Sequence, residues 1–160
     1  MTVRSAGLLL YRWSKSSELE VWIAHMGGPF WARKEDHSWS IPKGEYLDDE
    51  NPLAAAQREF AEEMGSPAPP ADYVELGAFR QPSGKIIMAF AAESEFDPER
   101  VVSNTFSLEW PKGSGTVREF PEIDEARWIG EHEARLKLVK GQLPILDALI
   151  HCVRESGTGR

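Results

Sequence analysis

Between Glu50 and Gly65 the chain sets four glutamates, counting Glu50 itself, and an arginine at spacings that suit a capped helix. Asn51 is a good N-cap, because its side-chain oxygen accepts from an N–H of the first turn. Pro52 follows at the position where a missing N–H costs nothing. Leu53 to Met64 is rich in strong helix formers, with three consecutive alanines. Gly65 supplies the left-handed residue that ends such a helix, and Pro67 forbids its continuation. At one residue per roughly 100°, Glu59 and Glu63 lie about 40° apart around the axis, and Glu62 about 60° to the other side of Glu59. The three acids therefore share one sector. Leu53, Ala56, Phe60 and Met64 form a separate apolar stripe, which is predicted to face a sheet.

That arrangement is poor for stability alone. Like charges one turn apart repel by a few tenths of a kcal/mol per exposed pair. The acids also crowd the second half of the helix, where the macrodipole disfavours negative charge. A divalent cation removes the conflict, and magnesium prefers hard oxygen ligands. Arg58 adjoins the acids and has the reach to hold Glu50 or Glu62 in a charge-assisted pair. A solvated acidic face accounts for Glu62 and Glu63 by themselves. It does not account for Gly44, Glu50, Arg58, Glu59 and Gly65 at their spacings.

The rest of the chain reads as one domain, residues 1–154, with a frayed tail at 155–160. Met1 to Leu10 is too short an apolar run for a signal peptide and reads as the start of a strand. The strand spans Ala6 to Trp13, with Glu20 to Met26 as its hairpin partner across Ser14 to Glu18. His37 to Ile41 is a short strand leading into Pro42-Lys43-Gly44. Tyr73 to Arg80 and Lys85 to Ala92 form a second hairpin. Phe106 to Trp110 and Ala126 to Ile129 are further short strands. Glu131 to Val139 and Leu143 to Val153 are terminal helices. Strands on both sides of an internal helix predict an α+β domain, a mixed sheet flanked by helices.

The pattern from Gly44 to Ser66 resembles the Nudix box, Gly-x5-Glu-x7-Arg-Glu-U-x-Glu-Glu-x-Gly-U, where U is bulky and apolar. It reads here Gly44, Glu50, Arg58-Glu59-Phe60, Glu62-Glu63 and Gly65, with Ser66 departing at the last place. Gly27-Gly-Pro-Phe-Trp31, Trp39-Ser-Ile-Pro-Lys-Gly44 and Phe120-Pro-Glu-Ile-Asp124 are similar to phrases of a MutT-like branch of predicted NTP pyrophosphohydrolases. The resemblance implies the Nudix fold, an αβα sandwich around a mixed sheet. It implies cleavage of a nucleoside diphosphate linked to a moiety X, by water attack on phosphorus, with an NTP-like substrate favoured. It also implies Mg2+, with Mn2+ as a substitute. Glu59 and Glu63 are then the metal ligands, Glu62 is a further ligand or a base, Glu50 and Arg58 orient them, and the backbone carbonyl at Lys43-Gly44 completes the shell. Glu122 is the first candidate for an additional acid, ahead of Glu119 and Glu125. A diadenosine tetraphosphate-type hydrolase is the alternative, and an inactive nucleotide-binding module a more remote one.

Residues outside the box suggest where a substrate lies. Lys43, Arg80 and Lys85 are candidate phosphate contacts, and Trp31, Trp39 and Phe79 candidate stacking surfaces for a base. Gly27-Gly28 reads first as a tight turn. His25 and His37 lack the spacing of metal ligands. With a formal net charge of -8 and no basic run to compensate, polymeric nucleic acid is not an expected partner. One cysteine, Cys152, precludes an intrachain disulfide and suits the cytoplasm. No apolar stretch approaches the roughly 18 residues of a membrane span. The expected assembly is a monomer or a homodimer.

Overall fold

The computed structural model describes residues 3–155. Its centre is β1 (Arg4–Trp13), a strand buried on both sides. Leu8 and Leu10 point to one face and Leu9 to the other, and all three are fully enclosed. Continuous burial of this kind is expected only where helices cover both faces of a sheet. β2 (Leu19–Met26) returns antiparallel, and β6 (Ile86–Glu93) lies parallel on the other side of β1. The sheet order is completed by β3 (Trp39–Ser40) beyond β2 and β5 (Val74–Arg80) beyond β6, with β9 (Ile123–Gly130) also paired to β2. One parallel pairing among antiparallel ones makes the sheet mixed.

β1 and β2 form a fork. They pair only from Tyr11↔Val21 to Trp13↔Leu19 and then part. The edge that β1 loses is taken by β4 (Lys43–Glu45), which pairs with Ser5 to Gly7. Gly7 permits this closeness, since a Cβ there would lie 2.9 Å from both the Lys43 Cβ and the Pro42 carbonyl oxygen. Pro42-Lys43-Gly44 is thus partly strand, where the sequence suggested only a connection. Three residues with a central glycine carry no alternation to announce it.

α1 (Pro52–Met64) covers one face of the sheet through Ala55, Ala56, Phe60 and Met64. Its ends are those predicted: the Asn51 side chain accepts from the Ala54 N–H, and Gly65 is left-handed with φ 74°. α3 (Leu143–Glu155) covers the other face with Ile145, Leu146, Leu149, Ile150 and Val153. α2 (Glu131–Lys137) stops two residues before the expected Val139, because Leu138 becomes extended and bridges to Trp39. α3 continues through Glu155, the first residue of the expected tail. Residues 156–160, like Met1 and Thr2, lie outside the described residues.

β7 (Thr105–Glu109) and β8 (Val117–Pro121) form a separate ribbon, and β8 had no counterpart in the sequence reading. Val-Arg-Glu-Phe-Pro ends in proline and shows little alternation, so only its partner reveals it. β9 also begins three residues earlier than expected, at Ile123.

Candidate active site

α1 brings its acids to β4 from one side of the sheet. Glu59 is seated directly on Gly44: a Cβ at that glycine would stand 2.0 Å from Glu59 Oε2 and 2.1 Å from its Cδ. The glycine is needed for room, since no side chain fits between strand and carboxylate. One turn further, Glu63 Oε1 accepts from the Lys43 backbone N–H at 3.1 Å. Helix and strand are therefore joined through the two acids that share a face.

Arg58 organises the acids outside this junction. Its Nε and Nη2 donate to the two oxygens of Glu50 at 2.9 and 3.0 Å. Its Nη1 reaches Glu59 at 3.0 Å and Glu62 at 3.4 Å. The fork on Glu50 fixes the guanidinium plane and with it the direction of the third nitrogen. This hydrogen bonding holds the Glu50 carboxyl below its ordinary range and raises Arg58 further.

Glu59 and Glu63 shift in the direction opposite to Glu50. Burial pushes the Glu63 carboxyl up to about 8, with repulsion from Glu122 and Glu59 adding to it, against the Lys43 N–H and the Lys43 charge. Glu59 is raised by burial and by the charge of Glu62, with Glu122 contributing, against Arg58. Like charges enclosed together favour protonation. Among the described residues no three His, Cys, Asp or Glu side chains are closed into ligand geometry. The donor set is nonetheless one of hard oxygens whose repulsion a divalent cation relieves.

Glu122 enters from the other side, at the foot of the ribbon. Its charge acts on both Glu59 and Glu63. Its backbone N–H donates to Asn104 O, and its carbonyl accepts from the Gly27 N–H. The runners-up sit differently: Glu125 pairs with Arg127 at 2.8 Å, and Glu119 stands opposite Ser107 in the ribbon.

Beyond β4, on the face covered by α3, lies an open and mostly apolar cleft of about 510 Å³. Met26, Trp31, Ile87 and Val139 line it, with Lys43 and Lys85 at its charged side. Lys43 links the two regions, its backbone bound to Glu63 and its side chain in the cleft. Burial lowers the Lys43 ammonium, against the attraction of Glu63.

Several expected contacts are placed elsewhere. Trp39 is a correction: it is fully buried, under Arg127 and Lys137 at 5.2 Å each, so no base can stack on it. Arg80 lies outside the cleft lining and reaches the Gly84 carbonyl at 3.4 Å. Lys85 lines the cleft but pairs with Glu45 at 3.2 Å. Gly27-Gly28 is a turn, with Gly28 at φ 93° against the Phe106 ring. Met26, Gln81, Ser83 and Val139 were not anticipated. They come from separate segments whose meeting no local pattern announces.

Comparison with known proteins follows the same lines. The family model described as the NUDIX domain matches residues 1–149. The NUDIX domain of Shewanella oneidensis NrtR, solved with ADP ribose, superposes with a TM-score of 0.62 at 13% identity, over 96% of this chain and 89% of that one. A C. elegans Ap4A hydrolase in a binary complex gives 0.62 at 18% identity, over 96% and 99% of the two chains. A MutT/nudix family protein from Enterococcus faecalis gives 0.57 at 19% identity, over 81% of this chain but only 44% of that longer one. At these identities the likeness is one of fold.

Proposed function

Given that the chain belongs to the Nudix family, whose hydrolases act on acid anhydrides, we propose that it is a magnesium-dependent pyrophosphohydrolase. Its substrate is a nucleoside diphosphate linked to a further moiety, with an NTP-like molecule favoured. One observation carries the reading: Glu59 on Gly44 and Glu63 on the Lys43 N–H put half-buried, mutually repelling carboxylates across β4 from a mostly apolar cleft.

Glu59 and Glu63 are assigned as the residues that hold magnesium, with the Gly44 carbonyl and Glu122 as further oxygen donors. When bound, the ion supplies the positive charge that phosphoryl transfer needs near the leaving and attacking oxygens. Arg58, gripped by Glu50, keeps Glu59 aimed. Glu62 is the more exposed acid and is held by one long contact. That freedom suits it to accept the proton of the attacking water. Lys43 neutralises a substrate phosphate, and Trp31, Met26 and Ile87 take the apolar part of the substrate.

The test is turnover of nucleoside triphosphates, nucleotide sugars, inositol pyrophosphates and dinucleoside polyphosphates, with magnesium and then with chelator. We expect magnesium-dependent cleavage of one class and at least a hundredfold lower kcat in Glu63→Gln, as for loss of a group acting in the transition state. Unchanged turnover in Glu63→Gln would falsify the metal assignment. Preference for the dinucleoside arm selects the four-phosphate reading over the NTP-like one. Among the described residues no helix is long and apolar enough to cross a membrane.

A further inference from the structure

The pairing of β9 with β2 contains an irregularity. His25 stands opposite Glu125 and Met26 opposite Ile123, so Asp124 is an extra residue with nothing facing it, a β-bulge. It changes which side each residue faces. Ala126 and Trp128 pack toward α1, and by strict alternation Asp124 would follow them. Instead Ile123 is buried in the α1 cluster. Asp124 turns to the opposite face, where it meets His25, whose ring lies 5.4 Å from that of Trp39. A slip of one residue reverses every side chain that follows. Glu122 stands in the bend between β8 and β9, two residues before Asp124, so its position follows from how the bulge is held.

His25 holds the bulge. It is only 5% exposed, with Nδ1 2.7 Å from Asp124 Oδ1 and Nε2 2.7 Å from the Lys34 carbonyl oxygen. Both partners are acceptors, so both contacts are hydrogen bonds when both ring nitrogens donate. The same ring thus grips the bulge and the loop that carries Trp31 into the cleft. Arg127 and Lys137 flank the neighbouring Trp39, and Glu35 answers Lys137 at 2.8 Å. Backbone bonds carry the placement onward. The Gly27 N–H donates to Glu122 O at 2.8 Å, the Glu122 N–H to Asn104 O at 2.9 Å, and the Asn104 N–H to Glu62 O at 3.2 Å.

We propose that His25 and Asp124 form a clamp that sets Glu122 against the acids of α1, making both of them positioning residues for hydrolysis. The proposal rests on the assignment of Glu122 to the site proposed above.

A double-mutant cycle tests it. On the substrate that the wild-type enzyme cleaves, Asp124→Ala is expected to lower kcat about tenfold, and Glu122→Gln by at least as much. In the Glu122→Gln background, Asp124→Ala should change kcat by less than about twofold, because the clamp acts through Glu122. Asp124→Asn, which can still bridge to His25, should recover most of the loss. Thermal melts of each variant separate these effects from unfolding. Additive losses, or an Asp124→Ala enzyme with wild-type kcat, overturn the clamp. An inert Glu122→Gln removes Glu122 from the site and the clamp's role with it. If no substrate is turned over, the proposed function fails and the same cycle is read on Mn2+ affinity by electron paramagnetic resonance. Coupled losses there support the clamp, and independent ones overturn it.

Discussion

At the scale of single residues, Gly44 is the most restrictive position. A methyl group there collides with a carboxylate rather than with backbone, so the cost falls on the position of Glu59 and not on the fold. Gly44→Ala is expected to leave the circular dichroism spectrum unchanged. It should weaken Mn2+ binding and lower kcat, each by about tenfold, the size of effect seen when a ligand's support is lost. Wild-type affinity in that variant would show that Glu59 is not a ligand. The importance of Gly44 was legible in the sequence through its spacing from the helix acids. Its physical reason was not, because close approach depends on β4, which no local pattern marks. Trp39 shows the converse. Its aromatic ring made it a candidate stacking surface for a base, whereas pairing with β2 turns it into the core, between two cations and His25.

At the scale of elements, α1 was readable almost to the residue because its start and stop are written in local chemistry. Asn51, Pro52 and Gly65 each satisfy a need of the helix end alone. Asn51→Ala removes the bond to the Ala54 N–H and should cost about 1 kcal/mol. For a chain of this size that lowers Tm by roughly 2–5 °C. Metal affinity should change little, since the acids lie in the later turns. A large loss of metal binding in this variant would mean that the helix frays as far as Glu59. The fork of β1 and β2, the ribbon strand β8 and the bulge at Asp124 were not readable. Each is defined by a partner distant in sequence, and Ile-Asp-Glu-Ala-Arg looks the same with or without an inserted residue.

At the scale of the whole molecule, the raised carboxyls tie stability to pH. Glu63 holds its proton more tightly folded than unfolded. Between its ordinary value of 4.5 and about 8 the folded chain therefore binds more protons, and stability falls as pH rises through that window. Glu59, also raised, adds in the same direction. Metal-free protein should lose about 1 to 3 kcal/mol between pH 5.5 and 8.5, taking one pKa unit as about 1.4 kcal/mol and allowing for partial exposure. Magnesium, which binds the deprotonated acids, should raise Tm more at pH 8.5 than at pH 5.5. Equal magnesium shifts at both pH values would contradict the assignment of Glu63. The two faces of the sheet also have separate duties. The acids belong to the α1 face and the apolar cleft to the α3 face, and they meet at Lys43 of β4. Mutations that reshape the cleft can therefore accumulate with little effect on the acidic group. Such a division lets a lineage exchange one substrate for another while its hydrolytic chemistry stays as it was.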